Sequence, residues 1–185
     1  YEKHKALTYP RTDARALPED YLGTVNNTLD MLKESSRYMK SVGEIQKHKW
    51  VKPSKRIFDN SKISDHFAII PTLQAPKKLT EAEEKIYDLV VKRFLAVFFP
   101  AAEYDVTTRI TTVAGQNLKT EGKVLVKAGW LEVYGRGTEE AETLVPVKDN
   151  EKVTVKKPLN LQFVTQKRLF CLPWKVPVNW SKKVS

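Results

Sequence analysis

A tyrosine and an arginine near the start of the chain form the first group of side chains that could do chemistry. The segment reads Thr8-Tyr9-Pro10-Arg11-Thr12-Asp13. A tyrosine hydroxyl can attack a phosphodiester and hold the phosphate covalently, but a phenol ionises only near about pH 10 and so needs a nearby cation or base. Arg11 could supply that charge and grip two phosphate oxygens. A tyrosine beside a proline is also a common packing feature, so this segment alone leaves both interpretations open.

A second candidate group lies where a polar pair runs into an apolar stretch, Asp65–Thr72. His66 could donate a hydrogen bond to a phosphate or orient a neighbouring group, because an imidazole changes its charge near neutral pH. The alternative is a surface histidine at the entrance of a strand. The other two histidines, His4 and His48, stand among lysines, and no histidine or carboxylate follows a metal-ligand spacing. We therefore expect no metal site in this chain.

A third feature is a run of basic residues interleaved with aromatic ones. Lysines and arginines could neutralise phosphates while an aromatic ring stacks on a base. A solvated helical face would show the same pattern, and the two interpretations are equally open. The residues are Arg37, Tyr38, Lys40, Lys47, Lys49, Trp50, Lys52, Lys55 and Arg56.

The composition is that of a globular protein with a basic excess. The 185 residues include 32 Lys and Arg against 22 Asp and Glu, for a net charge of +10, which favours a polyanionic partner. No apolar run is long enough to span a membrane, and the single cysteine, Cys171, excludes an internal disulfide. The chain begins at Tyr1 without Met or a signal-like stretch, so we expect an interior piece of a longer protein.

Local patterns predict helices first and strands afterwards. Pro18 and the two acids that follow it open a helix that runs to about Ser35, and a polar helix covers roughly 36–48. A β-branched, threonine-rich stretch from Val106 to Val113 predicts a strand, and residues 116–127 predict its partner across a turn. Segregated helices and strands indicate an α+β fold.

The clearest predicted helix covers residues 80–98. Thr80 and Glu83 have the spacing of a capping box, and Pro100 closes the element. We expect its buried stripe to consist of the apolar residues at helical spacing, Ile86, Leu89, Val90, Phe94 and Val97.

Four segments together resemble type IA DNA topoisomerases, closest to the topoisomerase III branch. Leu7–Asp13 resembles the active-site tyrosine motif of that family, and Asp65–Thr72 resembles its second signature. Leu79–Tyr104 and Gly129–Tyr134 are similar to the blocks that follow. The order and spacing agree over residues 1–157, and four motifs in order are far more specific than any one of them.

The resemblance implies an enzyme that cuts and rejoins one DNA strand through a 5′-phosphotyrosine, without ATP. Tyr9 would be the nucleophile, and Arg11 would stabilise the transition state and position Tyr9. The further residues that the resemblance assigns to DNA contacts are Thr12, Asp13, Arg15 and His66. The family often has other residues where Ala14 and Ala16 stand, a departure that would loosen local DNA contacts.

The resemblance also implies what lies elsewhere in the polypeptide. In this family a Toprim domain with acidic residues binds Mg²⁺, and those residues and the gate domains do not occur in this sequence. Residues 1–100 would be the mainly helical catalytic-tyrosine domain, and 101–157 would be antiparallel strands of a segmented arch domain. We expect the partner to be single-stranded DNA, the location to be the bacterial cytoplasm near the nucleoid, and this piece alone to be inactive. The rival interpretations are a non-catalytic module that binds single-stranded nucleic acid and a structural helical domain without a role in nucleic-acid binding.

The last segment, residues 158–185, departs from the family and from the rest of the chain. It contains five Lys and Arg and no acidic residue. Codons for Thr165–Lys175 can be chosen so that a shifted frame reads TEATLLSAME, which resembles the next block of the family. We therefore interpret 158–185 as a frameshifted tail and expect it to be poorly ordered. Sequencing the gene across codons 150–185 tests this interpretation, and an unbroken native frame would contradict it.

Overall fold

The computed structural model divides the chain into two compact units. It describes residues 1–113, 115–135, 144–145, 148 and 151–152, together with the backbone of Asn179–Lys182. The first unit consists of Tyr1–Ala101 and Ala128–Gly137, and the second of Ala102–Lys127 and Thr138–Ser185. The predicted order of the tail therefore lies outside the described residues, apart from that short backbone stretch.

The first helix begins where the proline and acids predict. After Pro18, a 3₁₀ turn over Glu19–Tyr21 leads into helix α1, Leu22–Lys33. The two acids of the turn lie at the positive end of the helix dipole. Helix α1 buries one face at helical spacing, made of Val25, Thr28, Leu29 and Leu32.

Helix α2, Met39–Lys47, is short and polar and buries only Val42 and Ile45. The residue before it, Tyr38, is buried and donates its hydroxyl to Asp88 Oδ1 at 3.0 Å. Burial is the main reason that the pKa of Tyr38 rises to about 12, and the hydrogen bond to Asp88 adds to it. This buried bond ties the start of α2 to the third helix.

Helix α3, Glu81–Phe98, begins with the predicted capping box. The Glu83 amide donates to Thr80 Oγ1 at 3.3 Å, and the Thr80 amide donates to Glu83 Oε2 at 2.8 Å. The backbone hydrogen bond from Thr80 is the main reason that the pKa of Glu83 falls to about 2. The sequence pattern thus located the start of this helix to the residue.

The predicted buried stripe of α3 is partly wrong. Phe94 is buried, but Ile86 and Leu89 are 58% and 60% exposed. Helix α3 carries apolar residues on two faces, and the packed face is displaced from the predicted one. It consists of Tyr87, Val91, Phe94, Leu95, Ala96 and Phe98.

A 3₁₀ turn over Gly129–Tyr134 packs against the end of α3. The Trp130 amide donates to the Pro100 carbonyl at 3.0 Å. Gly129 has φ of +52°, and a Cβ there would lie 2.5 Å from the Ala101 carbonyl oxygen. Only glycine fits this close approach of two backbone segments.

The second unit is built on a hairpin of β1, Glu103–Val113, and β2, Gln116–Lys127. The strands are antiparallel and run in register from Tyr104 opposite Leu125 to Val113 opposite Gln116. A short strand β3, Asn179–Lys182, pairs with β1 in parallel. The α+β prediction and both predicted hairpin strands are confirmed.

None of the helices in the described ranges combines the length and hydropathy that crossing a bilayer requires.

Candidate active site

Two segments far apart in sequence pair beside Tyr9. Leu7 forms an antiparallel bridge with Pro71. The Thr72 amide donates to the Ala6 carbonyl at 3.0 Å, and the Thr8 amide donates to the Ile70 carbonyl at 3.0 Å. The two segments that sequence analysis singled out are therefore neighbours, joined along residues 6–8 and 70–72.

After Tyr9 the chain returns to buried backbone at Ala16 and Leu17. The Ala68 amide donates to the Ala16 carbonyl at 3.0 Å, and the Leu17 amide donates to the Ile57 carbonyl at 2.7 Å. Ala16 and Leu17 are each 1% exposed. Residues 9–15 therefore form a loop whose two ends are both fixed to buried backbone, although the loop itself faces solvent.

Most residues of this loop are exposed, Pro10 among them. Tyr9, Arg11, Asp13 and Arg15 are exposed, whereas Thr12 and Ala14 are half-buried and Ala16 is buried. These four side chains therefore form the solvent-facing part of the loop. Four of the six predicted site residues lie on it.

Tyr9 and His66 are in direct contact. Their ring centroids lie 4.3 Å apart at an interplanar angle of 39°, and the edge of Tyr1 meets the Tyr9 ring at 5.3 Å. The Thr12 hydroxyl donates to the His66 carbonyl at 3.0 Å and accepts from the Ala14 amide at 3.0 Å. The structure thus brings together three predicted site residues, Tyr9, Thr12 and His66.

Arg11 and Asp13 share the loop without side-chain partners. Within the ranges that the structure describes, neither makes a side-chain hydrogen bond or an ion pair. An exposed guanidinium without a carboxylate keeps its five donors for a ligand, and the planar fork suits the oxygens of a phosphate. The arrangement can therefore offer an anion a guanidinium, Arg11, two residues after a phenol, Tyr9, whose ring contacts an imidazole, His66.

The first part of the basic and aromatic run is occupied by contacts within the fold. Arg37 forms ion pairs with Glu84 at 2.7 Å and Asp88 at 3.7 Å. Lys40 lies 3.0 Å from Glu132. Tyr38 is buried as well, so its ring is not exposed for stacking on a base.

The second part of the basic and aromatic run contains lysines without ion-pair partners in the described part of the chain. Lys49, Lys52 and Lys55 are exposed and make no ion pair with any residue in the described part of the chain. Trp50 is half-buried, with one contact to His48 at 5.0 Å and another to Phe99 at 4.8 Å between ring centroids. The lysines are open to solvent, whereas the indole already has two ring partners.

Comparison with known proteins decides the family. The family model described as DNA topoisomerase matches residues 1–169. The chain belongs to the DNA topoisomerase family. The match covers the Tyr9 loop, the His66 segment, all three helices and the β1–β2 hairpin.

Individual relatives place the chain within the topoisomerase III branch of type IA. It is 43% identical over 157 residues to DNA topoisomerase 3 of Bacillus cereus, covering 80% of this chain and 20% of that protein. It is 40% identical over 144 residues to DNA topoisomerase 3 of Bacillus subtilis, again covering 20% of the relative. The resemblance inferred from four motifs is confirmed, and the chain spans about a fifth of the length of the curated relatives it matches.

The resemblance to type IA topoisomerases implies that the whole enzyme uses Mg²⁺. Among the described residues, no group of three or more His, Cys, Asp or Glu side chains is arranged to hold a metal ion. The chemistry of this surface is that of a phenol, an imidazole and a guanidinium.

Sequence reasoning missed Thr8. Its hydroxyl donates to the Ala68 carbonyl at 3.2 Å and accepts from the Ile70 amide at 2.9 Å. The only signal in the sequence is its position next to Tyr9, because the partners are 60 and 62 residues away.

Proposed function

We propose that this chain is the catalytic-tyrosine part of a type IA DNA topoisomerase that cuts and rejoins one DNA strand through a 5′-phosphotyrosine. The observation that carries the proposal is the exposed Tyr9 ring held against His66, 4.3 Å between centroids, on a loop that also presents Arg11. A packing tyrosine would be buried, whereas Tyr9 is 36% exposed. The family membership supports the same assignment.

The proposed step conserves the number of phosphoester bonds. The Tyr9 oxygen attacks the phosphorus, the bond between phosphorus and the 3′ oxygen breaks, and the phosphate stays on Tyr9 with the 5′ side of the strand. The phenol loses its proton, and the leaving 3′ oxygen gains one. Rejoining reverses these bonds, so the reaction needs no ATP.

Two neighbours of Tyr9 have complementary roles in this proposal. Arg11 binds the non-bridging phosphate oxygens and opposes the charge that develops on them, because its fork can donate two parallel hydrogen bonds. His66 contacts the DNA backbone at the same phosphate. Thr12, Asp13 and Arg15 line the path of the strand.

The remaining parts of the proposal concern the whole protein. The substrate is single-stranded DNA, and the reaction takes place in the bacterial cytoplasm at the nucleoid. Toprim and gate domains of the same polypeptide complete the enzyme, and Mg²⁺ is bound by the Toprim domain. No step described above passes through the metal.

A full-length hybrid tests the proposal. This chain replaces the aligned segment of Bacillus cereus DNA topoisomerase 3, and relaxation of supercoiled plasmid with Mg²⁺ is measured. We expect relaxation by the hybrid, none by its Tyr9→Phe variant, and none by the isolated 185-residue chain. Tyr21→Phe is the matched control, because Tyr21 packs on Phe67, next to His66, at 4.8 Å. Strand passage that persists in Tyr9→Phe would instead favour a non-catalytic binding module, and relaxation by the isolated chain would contradict the need for further domains.

A further inference from the structure

Thr8 makes three hydrogen bonds to the segment that carries His66. Its amide donates to the Ile70 carbonyl at 3.0 Å. Its hydroxyl accepts from the Ile70 amide at 2.9 Å and donates to the Ala68 carbonyl at 3.2 Å. A single side chain therefore occupies two backbone groups of the neighbouring segment.

The Ala68 carbonyl and the Ile70 amide depend on the Thr8 hydroxyl for a hydrogen-bond partner. Ala68 and Ile70 are 3% and 2% exposed, so water cannot easily replace a lost partner. A hydroxyl is the smallest side-chain group that donates and accepts at once. Valine has the same shape without either function, whereas serine keeps both.

The bridge lies one residue from Tyr9 and two from His66. Side chains alternate along an extended segment, so while Thr8 faces the 68–70 backbone, Tyr9 projects to the opposite, exposed side. A change in the register of the two segments by one residue would turn each side chain to the other face. The Thr8 bridge lies at the position where this register determines the side to which the Tyr9 ring projects.

The far end of the loop has a similar but separate anchor. The Thr12 hydroxyl donates to the His66 carbonyl at 3.0 Å and accepts from the Ala14 amide. Its proton is therefore donated to the backbone of His66. Two threonines hold the Tyr9 loop, one through the 68–70 backbone and the other through His66 itself.

We propose that Thr8 is a positioning residue whose hydroxyl bridge across Ala68 and Ile70 sets the place of the Tyr9 ring relative to His66. The structural part of this inference stands on the hydrogen bonds alone. Its consequence for the rate of DNA cleavage rests on the proposed function of Tyr9. A misplacement of a reacting group by about 1 Å can cost about a hundredfold in rate.

Thr72 provides a matched control on the same pair of segments. Its amide donates to the Ala6 carbonyl at 3.0 Å, its hydroxyl donates to the Lys5 carbonyl at 2.6 Å and accepts from the Gln74 amide at 3.2 Å. It therefore joins the same two segments with a hydroxyl bridge, but on the side away from Tyr9. A general loss of stability would affect Thr8→Val and Thr72→Val alike.

The first experiment is NMR on the 185-residue chain and needs no activity. In the unmodified chain, the Ile70 amide is expected to exchange with solvent slowly, since its acceptor is the Thr8 hydroxyl. Thr8→Val is expected to weaken the nuclear Overhauser contact between the Tyr9 and His66 rings, while Thr8→Ser and Thr72→Val keep it. Fast exchange of Ile70 in the unmodified chain, or an unchanged ring contact in Thr8→Val, would overturn the proposal. Amide exchange of Ile70 is measured in the unmodified chain, so it tests the hydrogen bond to Thr8 even if Thr8→Val does not fold.

The second experiment measures the rate of covalent adduct formation with single-stranded DNA in the full-length hybrid. We expect Thr8→Val to lower this rate at least about tenfold at saturating DNA with little change in DNA affinity, and Thr8→Ser to restore it. Thr72→Val should match the parent. A normal rate in Thr8→Val would contradict the positioning role. If the ring contact depends on Thr8 but Tyr9→Phe still forms adduct, the proposed function of Tyr9 fails while the placement by Thr8 stands.

Discussion

Replacing Gly129 by alanine should be among the most destabilising single changes to the first unit. Gly129 has φ of +52°, and an added Cβ would lie 2.5 Å from the Ala101 oxygen and 2.6 Å from the Pro100 oxygen. Both neighbours are backbone atoms, so no side chain can turn away to make room. The collision also falls on the hydrogen bond from the Trp130 amide to the Pro100 carbonyl.

The expected cost has three parts. A left-handed conformation costs a residue with a Cβ about 1–2 kcal/mol. Forcing an extra carbon into a packed contact costs about 1–3 kcal/mol, and loss of the Trp130 hydrogen bond about 1 kcal/mol. Gly129→Ala should therefore lower the free energy of unfolding by about 3–6 kcal/mol.

Gly135→Ala is the matched comparison. Gly135 has φ of +72°, but nothing lies within 4 Å of the position of an added Cβ. Only the conformational cost of about 1–2 kcal/mol applies there. Urea unfolding followed by helical circular dichroism measures both variants. Equal losses for the two glycines would refute the inference that backbone contact at Pro100 and Ala101, rather than φ alone, requires glycine at 129.

Two further predictions concern charge. The pKa of Glu83 falls from 4.5 to about 2, so its ionised carboxylate stabilises the fold above about pH 4.5. That stabilisation is lost as the pH falls towards 2. Glu83→Gln lacks the carboxylate, so its free energy of unfolding should decrease less on acidification than that of the parent. Thermal unfolding at a series of acidic pH values measures it, and parallel curves for both proteins would contradict the prediction. Neutralising Lys49, Lys52 and Lys55 together to Gln should reduce the salt dependence of single-stranded DNA binding by up to about 2 in log–log slope. The matched control neutralises three ion-paired lysines, Lys40, Lys62 and Lys85, and an equal effect of the two triple variants would argue against a specific basic surface.

Features that depend on neighbouring residues were predictable from the sequence. The start of α1 after Pro18 and the capping box of Thr80 with Glu83 are local, so the residues that decide them lie within one helical turn. The β1–β2 hairpin follows from alternating β-branched residues and a turn containing Gly115. Each of these elements appears where the sequence indicates.

Features that depend on distant residues were not predictable. Helix α3 has two apolar faces, and periodicity does not tell which one meets α2 and the 3₁₀ turn over Gly129–Tyr134. Ile86 and Leu89 were predicted to be buried although both are exposed. The sequence suggested that Arg37 could bind a phosphate, but in the structure its guanidinium forms ion pairs with Glu84 and Asp88.

The candidate site shows the same division. Motif resemblance identified Tyr9 and His66, and their rings are in contact. The loop is held by the Thr8 hydroxyl, however, and its acceptor Ala68 is 60 residues away in sequence. A side-chain bridge between two segments depends on their register, which single-sequence patterns do not give.

The most direct test of the central claim is to identify the residue that becomes linked to DNA. The full-length hybrid is incubated with single-stranded DNA and Mg²⁺, denatured during the reaction, digested, and the peptide that carries nucleotide is sequenced by mass spectrometry. We predict a nucleotide attached through its 5′ phosphate to Tyr9, and no adduct in Tyr9→Phe. An adduct on any other residue, or an adduct that survives Tyr9→Phe, would contradict the account.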